Sequence, residues 1–181
     1  MKTGTLASFR NRFARDERGI TAVEFALVLP VLIIIYLGSV ELNHAITIDR
    51  KLTSAGNSVG DLVAQGTDAI SSGEMDDIFQ AAQAIMQPYS SATLKIVVSS
   101  VTISDDGDEV LSSCAYHDTP RAENSAMTVP AGVRVEGSTL VITEVEYEYI
   151  PTIGKIITES LILNDTFYMR PRQSDVIALP C

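Results

Sequence analysis

The side chains able to do chemistry are few in this sequence and lie far apart. The chain carries 2 histidines and 2 cysteines in 181 residues. His44 stands alone, and His117 is followed by Asp118. A Ser-His-Asp relay is defined by hydrogen-bond geometry, which this spacing does not supply. No nucleophile elbow, phosphate loop, HExxH or CxxC pattern occurs, so nothing here argues for an enzyme, a cofactor or a small-molecule substrate. The acidic run Asp105, Asp106, Asp108 and Glu109 around Gly107 offers oxygens to calcium, but that ion needs about six to eight of them and the EF-hand spacing is absent. A turn with solvated charges is expected there, and no metal site. The most unusual carboxylate is Glu24, which interrupts an apolar run.

That run positions everything else. Residues 25–40, FALVLPVLIIIYLGSV, carry no formal charge, and the stretch 20–42 is broken only by Glu24 and Glu41. As a helix, 20–42 would span about 34 Å, enough for a hydrocarbon core of about 30 Å. Lys2, Arg10, Arg12, Arg15 and Arg18 precede it, and only Arg50 and Lys51 follow soon after. This asymmetry orients the N-terminus to the cytoplasm and exports the rest. A cleaved secretory signal is the competing reading, but the run is long for one and GSVELNHA offers no clean cleavage site. The net charge of −10, from 13 Lys+Arg against 23 Asp+Glu, argues against nucleic acid as a partner. With 46% hydrophobic and 20% charged residues the chain can bury a core, and its size allows one ordinary domain.

A carboxylate at the opening of a transmembrane helix is costly unless paired or held at the headgroup level, where it would simply be solvated. The string RGITAVEFALVLPVLIIIYLGSVELNHA, residues 18–45, resembles the N-terminal signature of TadE-like pseudopilins of the Tad (Flp) pilus, a class III, type IV-like prepilin junction. TLVITEVEYEYIPTIGK and FYMRPR resemble the family less specifically. The resemblance implies a leader of residues 1–19, cut by a prepilin peptidase between Gly19 and Ile20. It implies that Glu24 and Phe25 register the subunit against a neighbour, Glu24 pairing with the new α-amine of Ile20. Phe25 stands where the major Flp pilins carry Tyr, and the head is much larger than theirs, so a minor subunit is implied. The partners implied are the peptidase, other pilins or pseudopilins, the inner-membrane assembly platform and membrane lipid. The place implied is the bacterial inner membrane, single-pass, with a periplasmic head, incorporation into an extracellular pilus and a link to adhesion being further expectations. A pseudopilin of a type II secretion machine would share the junction. The alternative of a different class is an unprocessed single-pass anchor whose head binds another envelope component.

Beyond the membrane run, apolar residues at 42, 45, 46, 52, 55, 59, 62 and 63 keep the helical period, so one long helix is expected over 20–66, with a kink at Pro30. Gly56 and Gly60 would let another element approach. Ser71 and Glu74 have capping-box spacing before a short helix whose face is Met75, Ile78, Phe79, Ala82, Ile85 and Met86. The period then becomes two: strands are expected from Leu94, from Val110 to 116 after an Asp-Gly turn, and over 139–150, with Glu144, Glu146 and Glu148 on its wet face. A turn at 151–154 precedes one or two strands in 156–169, broken at Asn164-Asp165. The fold expected is α+β and type IV pilin-like: a long N-terminal transmembrane helix packed under an antiparallel-sheet head of residues 67–181. In an exported head Cys114 and Cys181 are expected to pair, stabilising it by roughly 4 kcal/mol. A terminal thiol linked to a partner or the membrane, and two reduced buried thiols, are the competing readings.

Overall fold

The computed structural model describes residues 18–151 and 160–181. Most of the expected leader, the turn expected at 152–154 and the start of the strand region expected at 156–159 lie outside the described residues. Two compact units divide the chain, Met1–Leu42 and Asn43–Cys181. Helix α1 runs from Arg18 to Ala64 and continues through Pro30, whose missing N–H leaves the carbonyl four residues back without that donor.

In the unit Asn43–Cys181, α1 is followed by α2 (Ser72–Met86), a 3-10 turn (Ser91–Thr93) and strands β1 (Leu94–Ser104), β2 (Gly107–Tyr116), β3 (Thr139–Tyr149) and β4 (Leu161–Met169). The strands form one antiparallel sheet in the order β2-β1-β3-β4. The capping box forms as spaced: the Ser71 hydroxyl accepts from the Glu74 N–H, and the Glu74 carboxylate accepts from the Ser71 N–H at 2.9 Å. Gly107, at φ +142°, closes the β1–β2 hairpin in a conformation that side chains disfavour.

β4 passes through Asn164-Asp165 without a break, correcting the expectation drawn from those turn-forming residues. The ladder overrides local preference: Glu146 faces Asn164 and Val145 faces Asp165 in register, and the Asp165 carboxylate accepts from the Thr53 hydroxyl at 3.2 Å.

Alternation along the strands builds two apolar clusters. On the inner face, Leu94, Ile96, Val98, Val141, Val145, Tyr147 and Tyr149 pack with Ile48, Leu52, Ala55, Val59 and Val63 of α1 and with Met75, Phe79, Ala82 and Met86 of α2. On the outer face, Val101, Ile103, Val110, Leu140 and Ile142 are covered by Met127, Val129 and Val133 from the loop 117–138. Half of the sheet face that alternation alone would leave wet is therefore roofed. Arg134 fastens the roof, donating to Asp108 Oδ1 at 3.2 Å and to the Ser104 carbonyl at 2.6 Å.

Cys114 and Cys181 form a disulfide across a sequence separation of 67.

Candidate functional site: the N-terminal helix

The segment of α1 within Met1–Leu42 is long and apolar enough to cross a membrane, and none of the residues in its apolar window is buried. Ile20, Val23, Phe25, Leu27, Val28, Leu32 and Ile35 are all exposed, Phe25 at 62%. Side chains this greasy and this unburied need lipid or another protein around them. The one helix of this kind among the described residues fits a single-pass membrane protein.

Gly19, Ile20, Glu24 and Phe25 all lie in helical backbone in the first turns of α1. Gly19 has open space where a Cβ would stand. Ile20 and Glu24 are four apart and so share one face. Glu24 is exposed, with no salt bridge to any described residue. A carboxylate on an apolar rod is costly in a low-dielectric layer unless a cation is paired with it there.

In the unit Asn43–Cys181 the same helix supplies the core rather than a surface. A Cβ added to Gly56 would lie 2.7 Å from Phe167 Cδ2 and 3.1 Å from Val145 Cγ1. One added to Gly60 would lie 3.0 Å from Thr143 Oγ1 and 3.1 Å from Met169 Sδ. The two glycines thus let β3 and β4 lie close on α1. Lys51 donates from Nζ to the Ile85 carbonyl at 2.9 Å, capping the C-terminal turn of α2 with a cation, as the helix dipole favours.

The other chemistry-bearing residues fall apart from one another. His44 makes an edge contact with Tyr89, and His117 stacks on Tyr116 at 4.0 Å between ring centroids. Asp118 accepts from the Thr119 N–H. In the acidic run Asp108 is taken by Arg134. No group of three or more His, Cys, Asp or Glu side chains placed to hold a metal exists among the described residues.

The unroofed half of the outer sheet face is a polar groove of about 600 Å³, lined by Lys95, Arg121, Glu144, Glu146, Asn164 and Thr166 among others. Lys95 pairs with Glu146 at 2.7 Å, and Arg121 forks onto both oxygens of Glu144. Hydrogen bonding to Glu146, then its charge, raises the Lys95 pKa; hydrogen bonding to Glu144 does the same for Arg121. Two of the three glutamates thus have cationic partners. Cross-strand register puts Lys95 opposite Glu146, a pairing the sequence holds only once β1 and β3 are known to be neighbours. Phe167, Met169 and Arg172, which fit against α1, lie in the FYMRPR string of weaker family resemblance, which gave no sign of that contact.

Comparison with known proteins finds no curated relative and no solved structure that matches the chain. The model of the TadE-like protein family matches residues 19–58. The matched segment begins at Gly19 and takes in Glu24, the apolar surface and the inner-face residues Ile48, Leu52 and Ala55. Over these residues the chain is similar to the TadE-like proteins of the Tad pilus system.

Proposed function

We propose that the chain is a minor pseudopilin needed for assembly of a Tad pilus, trimmed by a prepilin peptidase between Gly19 and Ile20 and acting through helix packing. In this reading residues 1–19 are the leader, 20–42 cross the inner membrane, and the head of 67–181 is periplasmic. The observation that carries the reading is Glu24: one exposed carboxylate on an apolar helix, four residues after Ile20, inside the segment that matches the family. Hydrolysis of the Gly19–Ile20 peptide bond would leave an α-ammonium on Ile20. Glu24 then has a cation of matching charge to meet on an adjacent pilin or pseudopilin, and the surface of residues 25–42 supplies the apolar contact. Two charges drawn together out of water are tolerable only as a pair, which makes the pair a register mark for subunits. The five basic residues before the helix support a cytoplasmic N-terminus.

The test is intact mass with N-terminal sequencing of membrane-extracted protein from cells with and without the peptidase. A peptidase-dependent start at Ile20 supports the reading, and a chain still starting at Met1 in both overturns it. The polar groove beside Lys95 and Arg121 favours a second reading, an unprocessed membrane anchor whose head binds an envelope component. That reading expects the uncut chain and full activity of Gly19 and Glu24 variants.

A further inference from the structure

Residues 170–181 follow β4 with no helix or strand of their own, yet they are fastened along their length. The Arg172 N–H donates to the carbonyl of Ala64, the last residue of α1, at 2.9 Å, and its guanidinium meets Asp61. Ala178 donates to the Asp68 carbonyl at 2.8 Å and accepts from the Ile70 N–H at 3.0 Å. The Leu179 N–H donates to Ser112 Oγ at 2.9 Å. Ile177 and Leu179 are buried in the inner cluster, and Cys181 is bonded to Cys114 on β2. One segment therefore closes the end of α1, the approach to α2 and the margin of β2.

The two sulfurs are unequally placed. Cys114 is fully buried and Cys181 is an exposed residue at the segment's end, so thiol exchange enters at Cys181. Without the bond, a few hydrogen bonds, the exposed Arg172–Asp61 ion pair and two apolar side chains must hold a dozen residues against their conformational entropy. The sheet and α2 have the rest of the inner cluster to hold them.

We propose that residues 170–181 form a redox clasp: the disulfide docks the segment, and its reduction frees the segment and uncaps α1 while the sheet and α2 stay folded. The ligand class is a thiol. A thiolate RS⁻ attacks Sγ of Cys181, the S–S bond breaks, and its electron pair goes to Sγ of Cys114, which takes a proton. A second RS⁻ attacks the mixed disulfide, releasing Cys181 as thiolate and RSSR. Two electrons pass from two thiols to the protein, and a disulfide of the RSSR class reverses the step. The head is thus completed only in an oxidising compartment, a property independent of how the N-terminal helix is used.

Hydrogen exchange of the full chain in detergent micelles tests this, comparing oxidised protein, protein reduced with tris(2-carboxyethyl)phosphine, and Cys181→Ser. Peptides covering Ile70, Arg172, Ala178 and Leu179 should exchange at least about tenfold faster in the last two, with those covering Ile96, Val98, Val141 and Val145 unchanged. Glutathione disulfide should restore protection to the reduced wild type and not to Cys181→Ser. Unchanged protection at 172–179 would overturn the clasp, because the segment would be docked without its bond. Equal acceleration across the sheet would overturn it too, making the bond a staple of the whole head.

Discussion

Gly56 on α1 and Phe167 on β4 meet as backbone against ring: a Cβ at position 56 would stand 2.7 Å from Cδ2 of that ring. The contact joins the segment that the family model matches to a strand outside that match. Ala55 and Val59 flank it, both fully buried. The helix is therefore fitted to the sheet at this point by the absence of a side chain, not by its presence.

Gly56→Ala should destabilise the head by about 1–3 kcal/mol, the usual range for overpacking a close contact, against the small gain a helix takes from alanine. Phe167→Leu in the same chain should recover part of the loss. Denaturant midpoints of the two single variants and the double variant check this, and strict additivity would show that the two positions do not share the space.

Arg134→Ala should cost about 2 kcal/mol, because Asp108 has only 8% of its side chain exposed and would be left buried without its cation. The loss should be seen first as faster proteolysis within residues 121–138, the roof over Val101, Ile103, Leu140 and Ile142. Equal cleavage of variant and parent would show that the roof is held by its apolar contacts alone.

The cap of α2 gives a pH dependence with a definite sign. Bonds from the Ser71 N–H, then from its hydroxyl, hold the Glu74 carboxyl below its ordinary range. The stabilisation is therefore complete above the ordinary carboxylate range and is lost as pH falls through the lowered folded value. Ser71→Ala should cost about 1 kcal/mol at neutral pH and less in acid, and Glu74→Gln should flatten the acid-side loss. Thermal unfolding across the acid range measures both.

On the proposed function, Glu24→Gln should leave cleavage after Gly19 intact and abolish recruitment into the pilus assembly, since the amide keeps the shape and loses the charge. Crosslinking of the membrane-extracted protein to neighbouring subunits reads this out. Undiminished crosslinking with Gln in place would remove the charge pair from the account.

Legibility followed the range of each interaction. The first helix, the capping box of Ser71 and Glu74, and the hairpin at Gly107 depend on residues within a few positions of one another, and their spacing can be read directly. The helix end, expected at residue 66, falls at Ala64. The pairing of Cys114 with Cys181 followed from the expectation that the head is exported, and the bond is present. What spacing could not give was neighbourhood. Asn164-Asp165 reads as a turn in isolation and is a strand because β3 lies beside it. The Glu144 and Glu146 face reads as wet and is partly neutralised, because β1 and the loop bring Lys95 and Arg121 across. Beyond its disulfide, part of the fastening of 170–181 uses the backbone N–H and carbonyl groups of Ala64, Asp68, Ile70, Arg172 and Ala178, which no side-chain pattern announces.

The span of the contacts made by α1 also sets an order of events. Thr53 reaches its partner 112 residues later in the chain, and Asp61 reaches its partner 111 residues later. At about 5–20 residues per second, synthesis would separate the making of Thr53 from that of Asp165 by roughly 6–22 s. The face of α1 bearing Thr53, Gly56 and Gly60 is thus made early and is covered by β4 only when synthesis is nearly complete. While the chain emerges, that face is the part most in need of a holding partner.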